Sequence, residues 1–282
     1  MTTSPRDRAL LELLDATTPA WIITPTRRLA RALTLRTAEL RAERGVEVAD
    51  APPIHSIDDW LRRLGQQALM HEAAAGTQPS GRVLLSPSAE QLLWEQVIVQ
   101  HVQDLPRELL DVSALAATAM QAWERICLWG EPSWSDPMTE DVEAFRDWLP
   151  AFRAQLLVGG FVTGGELADL VSRAIREDTL AEEIPNIVVT LSFERATPQL
   201  ARVVDALRAR DVSILDELGD RTRVAAAPCV LRAASPAAEL RMVASRIRTR
   251  LAVSPNLRIA VLAPDPSAYG SRIERVFEEE LD

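Results

Sequence analysis

Between Ser86 and Arg176 the apolar residues recur at helical spacing almost without a break. On either side, short β-prone runs alternate with amphipathic stretches. That pattern restricts the fold to an α/β unit, an all-helical block set into it, and a return to α/β. Trp21-Ile22-Ile23-Thr24 is apolar throughout, as a strand buried on both faces should be, and it ends at Pro25. Thr26 can cap a helix from about Arg27 to Arg44, with Gly45 as its stop. Residues 5–16 predict a short helix, and Val46 to Ile54 a strand or two broken by Pro52 and Pro53. Ser56 is a second N-cap, with Asp59 three residues on, for a helix carrying Trp60, Leu61 and Leu64.

Inside the block the spacing predicts helices over 88–104, 106–128, 139–157 and 164–176. The breaks fall at Pro106, at the Gly130–Pro137 cluster and at Gly159-Gly160. Six of the seven tryptophans lie between Trp60 and Trp148, at spacings that suit core positions better than a base-stacking platform. The period then returns to strand–helix alternation. Strands are expected at Ile187–Leu191, Val212–Leu215, Val230-Leu231 and Arg258–Leu262, with helices from Pro198 to about Arg210, Pro236 to Leu251 and Tyr269 to Leu281. The expected organisation is 1–85 and 181–228 for the α/β domain, 86–180 for the helical insertion, and 229–282 for the opening of a second α/β domain.

Composition narrows the chemistry. The 282 residues contain no lysine, so all 31 basic residues are arginine. A P-loop needs a lysine to reach the β- and γ-phosphates, and Schiff-base catalysis needs one as nucleophile. Both are excluded for this segment. The net charge of −10 opposes a nucleic-acid clamp built on bulk charge while leaving room for a local basic groove. Cys127 and Cys229 are too few for a disulfide framework or a structural zinc site. No run of about 18 apolar residues occurs and no signal-peptide core opens the chain, so a cytoplasmic protein with no membrane span is expected.

The remaining candidates cluster around predicted strand ends. Arg27, Arg28 and Arg31 follow the first strand, where parallel sheets bind ligands. They could hold DNA phosphates, or could form a solvated face paired with Glu39 and Glu43. His55 could contact DNA or simply pack at a strand–helix junction. His71 and His101 read as solvated helix residues. Asp216 ends a strand beside Glu217 and Asp220; without a P-loop to serve, it reads as a solvated strand end. The Gly159-Gly160 and Gly164-Gly165 pairs follow a helix, which makes them caps and turns rather than a phosphate loop.

Several stretches resemble motifs of superfamily 1 helicases, in the same order along the chain. Leu191-Ser192-Phe193-Glu194-Arg195-Ala196-Thr197-Pro198-Gln199-Leu200 is similar to their Walker B region, Asp-Glu-Phe-Gln-Asp-Thr-Ser-Pro-Leu-Gln. Phe193, Thr197 and Pro198 fall in register. Leu191 stands where the magnesium-binding Asp would be, and Ser192 where the water-activating Glu would be. Ile54-His55-Ser56-Ile57-Asp58-Asp59-Trp60-Leu61 is similar to the Thr-Phe-His-Ser-Phe segment beside bound single-stranded DNA. Ile23 to Ala30 is similar to the strand–helix motif before it, and Glu239 to Asp265 resembles the passage into a second motor domain.

Together these resemble the AddB-like family of bacterial DNA-repair proteins. The resemblance implies a RecA-like domain with a 1B-like helical insertion, often without ATP chemistry, ahead of a C-terminal PD-(D/E)xK nuclease that this segment lacks. It implies an exodeoxyribonuclease in recombinational DNA repair as the full-length protein. It implies DNA as partner, single-stranded or a duplex end, with an AddA-like motor subunit as a second partner. It brings no cofactor to this segment, and it makes Arg27, Arg28, Arg31, His55 and Ser56 the candidate DNA contacts. Two other readings stay open. One is an interaction module that keeps the fold and has no DNA affinity. The other is an enzyme of another class, such as a sugar-nucleotide transferase, with Asp216, Glu217 and Asp220 as an acidic metal site.

Overall fold

The computed structural model describes residues 5–15, 20–46, 50–76, 81–102, 111–134, 139–193, 197–216, 230–263, 265 and 269–281. The chain divides into two compact units, Met1–Arg221 and Thr222–Asp282.

In the first unit, β1 (Ala20–Thr24), β2 (Ile54–Ser56), β5 (Ile187–Thr190) and β6 (Ser213–Leu215) form one sheet in the order β2-β1-β5-β6, every pair parallel. The register sets Thr24 against Ser56 and Trp21 against Val188. The apolar run of β1 has the physical cause expected of it, because both faces of the sheet are covered. On one face Ile22, Val189 and Ile54 pack with Leu10 of α1 (Pro5–Leu14) and Ala30 of α2 (Arg27–Glu43). On the other, Ile23 and Val188 join Trp60 and Leu64 of α3 (Ile57–Ala74), Leu170 and Val171 of α7 (Leu167–Arg176), and Val203 and Leu207 of α8 (Pro198–Arg208).

Between β2 and β5 the chain builds a second apolar core from α4 (Pro87–Val102), α5 (Val112–Trp129) and α6 (Glu140–Gly159). Trp94 and Phe152 stack with ring centroids 3.7 Å apart, and Trp123 meets Phe152 edge-on at 5.7 Å. Trp60, Trp94 and Trp123 are thus core residues, as their spacing required. Gly160 ends α6 in the left-handed conformation, φ 62°, its N–H donating to the carbonyls of Leu156 and Leu157. The cap turns the chain into β4 (Phe161–Val162), which pairs in parallel with β3 (Val83–Leu84). The helical spacing gives no sign of this two-stranded ladder. The helices begin and end within a few residues of their expected limits where they are described. The start expected at Pro106 lies outside the described residues, as do Glu194, Glu217, Asp220 and Cys229.

The second unit corrects two expectations. Val230-Leu231 and Arg258–Leu262 do not pair into a sheet; both lack regular structure and are exposed, with α9 (Pro236–Val253) between them in the chain. A run becomes a strand only where another strand pairs with its backbone, and among the described residues none pairs with these. The last helix, α10 (Arg272–Leu281), packs on α9, with Val276 buried and Arg248 paired to Glu280 at 3.4 Å.

Candidate functional site

Because all four strands of the main sheet are parallel, their carboxyl ends share one edge. Thr24, Ser56, Thr190 and Leu215 close the strands there, and α2, α3 and α8 begin just beyond it. Each of these helices is capped by the hydroxyl its sequence offers. Thr26 accepts from the Leu29 N–H, Ser56 from the Asp59 N–H and Thr197 from the Leu200 N–H, each at 3.2 Å. Buried Thr24 ties β1 to β2: its hydroxyl lies 3.0 Å from the Thr26 carbonyl and 3.2 Å from that of His55.

The three arginines of α2 divide into two kinds. Arg27 is locked to Asp59, with Nε at 3.0 and 3.1 Å from the two carboxylate oxygens and Nη2 at 2.6 Å from Oδ1. The Ser56 hydroxyl donates to the same carboxylate at 2.7 Å. Those hydrogen bonds hold the Asp59 carboxyl below the usual carboxylate range, Arg27 contributing most and Ser56 next. Arg28 and Arg31 are exposed and have no ion-pair partner among the described residues. Neither pairs with Glu39 or Glu43; Glu39 is taken by Arg36 at 3.1 Å.

His55 is half-buried against Trp21, with ring centroids 5.6 Å apart, and Arg63 lies 5.3 Å over the Trp21 ring. Burial lowers the imidazole pKa, the Arg63 charge lowers it further, and Asp59 opposes both. At neutral pH His55 is therefore an uncharged ring, able to pack or to share a hydrogen bond but bringing no positive charge to a phosphate. His71 sits 3.3 Å from Glu183, and the His101 Nδ1 lies 2.9 Å from the Val97 carbonyl.

At the centre of the edge, Leu191 leans on the apolar cluster around Ile22 and Val189, and its N–H donates to the Ile23 carbonyl at 2.8 Å. It offers no ligand. Ser192 follows at φ 64°, exposed and left-handed. An L side chain there carries strain of about 1 kcal/mol. Ser192→Gly is accordingly expected to raise unfolding stability by about 0.5–1 kcal/mol, read by urea titration; a loss would show that the hydroxyl holds the turn. Asp216 accepts from the Thr190 hydroxyl at 3.0 Å. Among the described residues no three His, Cys, Asp or Glu side chains gather to hold a metal.

The sequence pattern brought Arg27, Arg28, Arg31, His55 and Ser56 to the same edge but missed Asp59 as its hub. The signal was present in the Ser56-x-x-Asp59 spacing, which also marks a plain helix cap. Neither the protein-family models nor the curated proteins compared with this chain match it. No helix among the described residues is long and apolar enough to cross a membrane.

Proposed function

We propose that this chain is a helicase-like scaffold of the AddB-like kind, with no ATP chemistry of its own, that guides DNA along the carboxyl edge of its parallel sheet. The observation that carries the reading is the pair Arg28 and Arg31, without ion-pair partners among the described residues, on the first turns of α2 at the edge where open α/β sheets take their ligands. The Arg27–Asp59 pair beside them ties the start of α2 to α3, next to the two guanidinium groups without ion-pair partners. Leu191 and Ser192, in place of metal-binding and water-activating acids, fit a retained fold without hydrolysis. In this reading 86–180 is the inserted helical domain of a RecA-like unit, the DNA is a single strand or a duplex end, and a nuclease and a motor subunit act with it.

Fluorescence anisotropy with a labelled 20-nucleotide oligo(dT), repeated from 50 to 300 mM NaCl, tests it. Binding that weakens steeply with salt is the expected outcome, without DNA-stimulated ATP hydrolysis. Absence of binding at 50 mM NaCl, or a robust DNA-stimulated ATPase, overturns the proposal.

A second reading has its own support. Leu231, Leu257, Ile259 and Val261 leave an apolar groove open on α9, and the chain carries a net charge of −10. Both favour a module for protein contacts, the outcome that the absence of DNA binding would select.

A further inference from the structure

α9 presents two different faces. One is covered by α10, an acidic amphipathic helix that carries Glu274, Glu278, Glu279 and Glu280. Val276 of α10 is buried, and Arg248 of α9 is paired to Glu280 at 3.4 Å, its Nη1 also donating to the Glu280 carbonyl at 3.1 Å. The other face lines an open groove of about 520 Å³ with Met242, Ile247 and Arg250, and Leu231, Ile259 and Val261 line it as well. Leu231, Ile259 and Val261 are all exposed. Among the described residues no strand pairs with 258–262, and its main chain makes no backbone hydrogen bond.

The groove differs in charge from the chain that bears it. Residues 240–263 hold five arginines and no acid, in a chain of net charge −10. Arg250 has no ion-pair partner among the described residues. Glu239, the acid that lines the groove, accepts from the Tyr269 hydroxyl at 3.1 Å. An exposed apolar run with an unpaired main chain is a template for strand addition. The added main chain completes the hydrogen bonds, and its alternate side chains enter the groove. The arginines favour an acidic occupant, as α10 is on the neighbouring face.

We propose that a partner protein docks here through an acidic segment that adds as a strand along 258–262, its apolar side chains turned to Met242 and Ile247 and its carboxylates to Arg246 and Arg250. The inference rests on the protein-contact reading of this groove, and it needs no DNA at the sheet edge of the first unit. Main-chain pairing supplies the affinity, and the alternation of acid and apolar side chains supplies the selection.

Amide hydrogen exchange of 258–262 in the full 282-residue chain tests it, with and without a synthetic octapeptide alternating glutamate and valine. At a peptide concentration roughly ten times its dissociation constant, exchange there should slow by about tenfold. The same peptide with lysine for glutamate should leave those amides unchanged. Arg246→Glu with Arg250→Glu, both exposed, should weaken binding of the acidic peptide by about tenfold or more, with an unchanged circular dichroism spectrum. Protection by the lysine peptide as well, or alone, overturns the charge argument and the proposal with it. Binding of the acidic peptide without protection of 258–262 overturns strand addition while the protein-contact reading survives. If neither peptide binds up to about 1 mM, both fall. Oligo(dT) that displaces the acidic peptide and itself protects 258–262 would assign the groove to nucleic acid, which overturns the proposal equally.

Discussion

Phe152→Ala is expected to lower the stability of the helical core by about 3–5 kcal/mol. Phe152 is fully buried, stacked at 11° to Trp94 and edge-on to Trp123. It is the ring through which α4, α5 and α6 meet. Alanine would leave a void that rigid indoles cannot collapse to fill, so the transfer and cavity terms both count. Trp123 also holds the Thr163 turn, so the damage should spread toward α7. Urea unfolding followed by near-ultraviolet circular dichroism reads the loss directly. A cost under about 1 kcal/mol would mean that the aromatic stack is not what organises this core.

Reversing both free arginines, Arg28→Glu with Arg31→Glu, should weaken oligo(dT) binding by roughly 30-fold or more at 50 mM NaCl. The slope of log affinity against log salt should flatten by about 1.4, since each single-strand phosphate left without its arginine lowers the slope by about 0.7. Both residues are exposed on α2, so the circular dichroism spectrum should not change. Arg173→Glu with Arg176→Glu, both exposed on α7, is the control matched for altered net charge. Equal weakening by the control would place the effect in bulk charge, not at the sheet edge. The Arg27–Asp59 pair predicts a further contrast: changing Arg27 should disturb α2 and α3 together, because Asp59 loses its partner on α2 and keeps only Ser56.

β1, β5 and β6 were legible because each carries an apolar or β-branched run between turn residues, and the helical core because its apolar residues recur at helical spacing; β2, Ile54-His55-Ser56, meets the expected Val46–Ile54 run only at Ile54. Two kinds of feature escaped. β3 and β4 are two residues long, and Val83 is exposed, so no periodicity could mark them. The run Arg258–Leu262 has a strand's composition, yet Ile259 is 40%, Val261 49% and Leu262 93% exposed. Local preference names a possible strand; only a neighbouring edge makes one. At the site, clustering of Arg27, Arg28 and Arg31 was visible, but their division into one locked and two free cations was not. It depends on Asp59, brought across by the pairing of Thr24 with Ser56.

The same sheet has a consequence for how the molecule comes into being. Trp21 and Val188 are side by side in adjacent strands, and nearly all of the helical core is synthesised between them. On the ribosome β1 and β2, with α1, α2 and α3 already made, must wait for β5 before the second edge of β1 is paired. Two short strands alone are marginal in water. The intervening helices make local contacts and can form early, shortening the loop that remains to be closed before β5 docks. Completion of the sheet only after the helical core has been made follows from the order of its strands.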